Sequence, residues 1–177
     1  MTTFFQLPAS KFRLTLALVA IGTTVHAQTP QGNSSNSYAA TAQRVGITKC
    51  VARIHQVNNF VTGNNPNNGQ LLTGPKDKLN QGIVATAIEI EGGGITSLVS
   101  SSFAPGASSS DCSATYDAIT YWNASCAMVA TSNYGAYKLL TQPLLRSVYV
   151  LDGGLTVKVF LMPAGSGCVS VKKEMVY

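Results

Sequence analysis

Glu89 and Glu91 stand two residues apart in a run where Val84, Thr86, Ile88 and Ile90 alternate with other side chains, so both carboxylates project from one side of an extended strand. Such a pair can divide the acid and base roles of glycoside hydrolysis, with His55 as a further titrating group. The same spacing describes an ordinary solvent face, and Ala85 and Ala87 as companions favour that reading. A small hydrolase using Glu89, Glu91 and His55 on a glycan or peptide is therefore the alternative function. His26 falls in an N-terminal segment expected to be removed, which leaves His55 as the single histidine of the remaining chain. A lone histidine without a second ligand does not make a metal site, and neither metal nor cofactor is expected. The stretch from Ala164 to Gly167 lacks the spacing of a serine nucleophile elbow and reads as a turn.

Four cysteines, Cys50, Cys112, Cys126 and Cys168, form no CxxC pair. An even count without that spacing points to two disulfides rather than a zinc or redox motif. Between Asp111 and Cys126 there is no Gly or Pro, and Cys112, Tyr116, Ile119, Trp122, Cys126 and Val129 recur at helical spacing, which predicts a helix. In such a helix fourteen residues at 1.5 Å each would separate Cys112 from Cys126 by about 21 Å, against about 7 Å between the Cα atoms of a disulfide. They would then pair with Cys50 and Cys168, in an order the spacing leaves open.

The chain that must hold these residues begins like an exported protein. Lys11 and Arg13 precede an apolar run from Leu14 to Ile21, and Val25-His26-Ala27 offers small residues for cleavage. The expectation is a signal peptide over 1–27, a flexible leader over 28–37, a single α+β domain over 38–177, and a secreted or periplasmic location after cleavage near Ala27. That apolar run is short for a bilayer crossing, so no membrane span is expected in the mature chain. Without Lys11 and Arg13, ten basic side chains stand against seven acidic ones, a net charge of +3. This is mild and scattered, which argues against nucleic acid. Asn33 and Asn123 lie in glycosylation sequons.

Ile47, Cys50, Val51, Ile54, Val57 and Val61 predict a first helix, with Gly46 unsettling its start. Dense turn formers between 62 and 80 predict a long exposed loop. Gly92 to Gly94 mark a hairpin between runs from Val84 to Glu91 and from Ile95 to Phe103. Asp152-Gly153-Gly154 and the turn at 163–167 separate further alternating runs ending near Met175. The expected architecture is an antiparallel sheet of four to five strands with two helices packed on one face and two disulfides. Catalytic groups being few, the leading functional expectation is a non-catalytic binding or assembly protein for a protein or glycan of the exported compartment. Asn64, Asn65, Asn67 and Asn68 of the loop, with Tyr121 projecting from the second helix, are the candidate binding residues. A structural subunit of a surface assembly is a further possibility.

Overall fold

The computed structural model describes residues 36–108, 111–140 and 143–177; the expected signal segment, most of the leader and the Asn33 sequon lie outside the described residues. Among the described residues the chain forms three α-helices, α1 (Asn36–Arg44), α2 (Val51–Thr62) and α3 (Cys126–Ser132), with a 3-10 turn at Lys76–Lys78. Eight strands complete it: β1 (Asn67–Leu72), β2 (Val84–Gly92), β3 (Ile95–Pro105), β4 (Cys112–Trp122), β5 (Lys138–Leu139), β6 (Tyr149–Asp152), β7 (Val157–Ala164) and β8 (Gly167–Val176). They make one antiparallel sheet in the order β1-β2-β3-β4-β8-β7-β6-β5. The expected four to five strands and two helices are thus corrected to eight and three.

The largest correction is β4. The residues expected as a helix from Cys112 onward pair with β3 from Pro105↔Cys112 to Ser97↔Thr120, and with β8 from Ala114↔Val176 to Trp122↔Cys168. Thr115, Ile119, Thr120 and the aromatics favour a pleated surface. Cys112, Ala114, Tyr116, Ala118, Thr120 and Trp122 face the helices, a period of two that small and polar members conceal. The helical expectation is also corrected at its end, where α3 begins only at Cys126, capped by Ser125 accepting from the Met128 N–H at 3.3 Å.

The loop expected over 62–80 is partly strand as well. β1 pairs with β2 from Asn67↔Ile90 to Leu72↔Ala85, its backbone bonds requiring no apolar sequence. Gly69 makes this possible, because a Cβ there would lie 2.3 Å from the Ala87 carbonyl oxygen and 3.0 Å from the Tyr38 hydroxyl. The β2–β3 hairpin closes through Gly93 and Gly94 at φ 60° and 77°, the positive values a two-residue type I′ turn demands.

α1 begins within the stretch expected as leader, and the predicted first helix starts only at Val51. Gly46 and Cys50, at φ 97° and 64°, break the chain between α1 and α2. Asn80 holds this corner: its side-chain oxygen accepts from the N–H groups of Thr48 and Lys49 at 2.8 and 3.0 Å, and its amide donates to the Gly46 carbonyl at 3.1 Å.

All three helices lie on one face of the sheet. Ala42, Ile47, Ile54 and Val57 pack with Val84, Ile88, Val99 and Phe103 at the β1–β4 end, while Val129 of α3 packs with Leu151, Val159 and Leu161 at the other. Disulfides join Cys50 to Cys112 and Cys126 to Cys168, one at each end. Cys112 and Cys126 are kept apart by the length of an extended strand, not of a helix. The Cys126–Cys168 link spans 42 residues, and replacing both cysteines by serine is expected to cost about 4 kcal/mol through the freed unfolded chain. Urea unfolding checks this; an unchanged midpoint would contradict it.

Candidate functional site

Between the two groups of helices the sheet is left uncovered, and there a groove of about 430 Å³ opens. The last turn of α2 supplies Phe60 and Val61, and Asn65 follows from the loop beyond. The lower β2–β3 hairpin contributes Ile90, Gly92, Ile95, Ser97 and Val99, β4 contributes Tyr116, Ala118 and Trp122, and β8 contributes Lys172. Phe60 is 66% exposed although it sits over Tyr116, ring centroids 6.3 Å apart. Such exposure of a large apolar ring beside polar groups is the usual composition of a ligand site.

The polar groups come from an inversion in β8. Its register places Cys168, Ser170, Lys172 and Glu174 toward the helices and Val169, Val171, Lys173 and Met175 away from them. The inward polar residues are therefore satisfied by neighbours. Ser170, fully buried, accepts from the Trp122 indole N–H at 2.7 Å and lies 3.1 Å from the Tyr134 hydroxyl. Tyr116 donates to the Glu174 carboxylate at 2.5 Å, while Lys172 donates to the Tyr116 hydroxyl at 3.1 Å and pairs with Glu174 at 2.9 Å. The ammonium also lies 5.8 and 5.6 Å from the Phe60 and Tyr116 ring centroids, within cation–π range.

Burial, then the hydrogen bond to Glu174, pushes the Tyr116 hydroxyl up from 10.0 to about 12. For Glu174 burial opposes ionisation, yet hydrogen bonds from Tyr116 and Lys172 outweigh it and hold the carboxyl below its ordinary value. For Lys172 burial again opposes the charge, and the bonds to Glu174 and Tyr116 overcome it, so its pKa is raised. The rim of the groove is an ionised pair bridged by a neutral phenol.

The candidates from sequence are scattered around this feature. Asn65 lies in the groove, its side-chain oxygen 3.0 Å from where a Gly92 Cβ would stand. Asn64 is exposed in the turn before it. Asn67 and Asn68 belong to β1 and, with Glu89 and Glu91, line a separate shallow pocket of about 290 Å³. Glu89 and Glu91 point out of the face opposite the helices, whereas His55 is exposed on α2, in contact with the Asn59 amide. The three do not converge. Tyr121 projects from β4, 51% exposed, on the face away from the helices. No group of three metal-ligating side chains is found among the described residues.

Phe60, Tyr116 and Lys172 are absent from the sequence-derived candidates because the pairing of β4 with β8 that brings them together has no place once β4 is expected as a helix. A signal was present: Cys168, which must be reached by a disulfide, and Val169 demand opposite faces of one strand. A further cavity of about 480 Å³ between α3 and the β6–β7 region is lined mainly by apolar groups such as Ala127, Ala130, Leu139 and Leu161, and offers fewer polar contacts. Neither a protein-family model, nor a curated protein, nor a solved structure matches this chain.

The tyrosine makes the site measurable. Unfolded chain releases a phenolic proton near pH 10, and the folded chain keeps that of Tyr116 to about 12. The native state binds the extra proton in this window, so stability declines as pH rises through it. Y116F is expected to make that decline shallower and to remove the highest step from the tyrosinate absorbance titration. A parent titration complete well below pH 12 would contradict the geometry.

Proposed function

We propose that the chain is an exported, disulfide-stabilised binding protein without catalytic activity, and that its groove takes a glycan. The observation that carries this reading is the exposed Phe60 ring set against Tyr116 and the Lys172–Glu174 pair. A sugar presents an apolar C–H face and a rim of hydroxyls that both donate and accept. Phe60, Tyr116 and Trp122 match the face; Lys172, Asn65 and Ser97 match the rim. Because Glu174 balances Lys172, the groove offers no net charge with which to select an anion. The two disulfides are compatible with an oxidising compartment, as is the export signal read at the N-terminus.

The proton chemistry of the groove supports binding over glycoside hydrolysis. Glycoside hydrolysis uses two carboxyl groups with one held protonated, while no acidic side chain lines the groove among the described residues and neighbouring Glu174 is held ionised.

Isothermal titration against a panel of oligosaccharides tests the proposal. Saturable binding without product release is expected, weakened roughly tenfold or more in F60A, as truncation of a central aromatic anchor ordinarily does. No binding across the panel, or binding indifferent to F60A, would overturn it. Capture of a protein ligand through the same groove, lost in F60A, would replace the glycan while keeping the site.

A further inference from the structure

The face of the sheet away from the helices carries an apolar row that its register makes continuous. Leu98 on β3, Ile119 on β4, Val171 on β8 and Phe160 on β7 stand side by side, and Val169 and Met162 lie in the next row. Leu98 and Met162 are 48% and 43% exposed. An antiparallel sheet with one solvated face ordinarily turns polar residues to that side. Here β8 does the reverse, sending Ser170, Lys172 and Glu174 inward and Val169 and Val171 outward. In β8 the apolar side chains are the ones turned outward, and the row they make with Leu98, Ile119 and Phe160 calls for a cover on this side.

Charge on this face is polarised across the sheet. At the β2 end Glu89 and Glu91 are exposed and form no ion pair among the described residues. At the opposite end Lys158 pairs with Asp152 at 2.8 Å and Lys138 adds its charge to the same carboxylate, leaving an excess of one positive charge. In the middle Asp117 and Lys173 cancel at 2.6 Å. A face acidic at one lateral edge, basic at the other and apolar between is complementary to itself when turned about an axis parallel to its strands.

We propose that a second copy of this chain covers the face, related by a two-fold axis running along the strands between β4 and β8. That operation sets Ile119 over the partner's Val171, Leu98 over the partner's Phe160, and the acidic β2 edge toward the partner's lysines. An axis perpendicular to the strands would instead set each edge against its own like charges, so the charge pattern selects the first arrangement. Packing is that of two aligned sheets about 10 Å apart. Five strands, β2 to β7 in sheet order, at about 4.8 Å spacing and three rows of side chains give a footprint of roughly 500 Å² per subunit, below the about 800 Å² of a standard interface; β6 adds nothing, its Val150 being already buried on this face. The dimer is therefore weak, with a dissociation constant on the order of 100 µM.

Sedimentation equilibrium of the purified full chain tests this over a concentration range reaching about tenfold above that value. A monomer–dimer equilibrium is expected, with V171K and the already exposed site L98K each weakening it at least tenfold while near-ultraviolet circular dichroism stays native. E89K/E91K and K138E/K158E are each expected to self-associate less than the parent, and their mixture to form heterodimers more readily than either alone. A chain that stays monomeric throughout, a dimer that survives both V171K and L98K, or a mixture showing no preference for heterodimers would overturn the proposal. Should V171K fail to fold, L98K and the charge exchange still decide it. None of these substitutions touches the groove, so saccharide binding is unaffected by any outcome.

Discussion

The ladder between β4 and β8 is the contact on which the rest of the molecule depends. Four strands, α1, α2 and the Cys50–Cys112 disulfide lie on one side of it; four strands, α3 and the Cys126–Cys168 disulfide lie on the other. Each half has its own buried cluster, Phe103 and Ile54 in one and Leu161 and Val129 in the other. Neither disulfide crosses between them. The continuity of the sheet rests on backbone pairing from Ala114↔Val176 to Trp122↔Cys168 and on the side chains that flank it.

Those side chains explain why polar residues face inward at the seam. Trp122 and Tyr116 come from β4, and Ser170, Lys172 and Glu174 from β8, so the hydrogen bonds among them tie one half to the other. An apolar seam would need a helix lying across it, whereas α2 reaches β4 from one side and α3 reaches β8 from the other. Partial water access is tolerated because the donors and acceptors answer one another. The groove is thus the consequence of joining two separately covered half-sheets, and the apolar row on the reverse face crosses the same seam.

What the sequence made legible was local. Gly92 to Gly94 carried the β2–β3 turn because only glycine takes its two positive φ values without strain, and strict alternation carried β7 and β8. The period of α2 showed in Ile54, Val57 and Val61. β4 was misread because Cys112, Tyr116 and Ile119 fall by coincidence on a helical stripe, while the residues that fill its true inner face, Ala114, Ala118 and Thr120, are small or polar. β1 was hidden for a different reason: an edge strand is held by main-chain bonds, which leave no hydrophobic pattern. The groove depends on residues 60, 116 and 172 meeting through two contacts, Phe60 with Tyr116 and Tyr116 with Lys172, each between residues 56 positions apart, a relation no local period encodes.

The order of strands has a consequence for how the chain is made. β8, the last of the eight strands in chain order, lies at the centre of the sheet between β4 and β7. Until its final residues are available, β4 and β7 each present an open edge of unpaired backbone groups, the condition under which strands recruit the wrong neighbour. The sheet is thus closed at its centre and not at an edge, and β8 is its keystone: losing that one strand would part the molecule into two half-sheets.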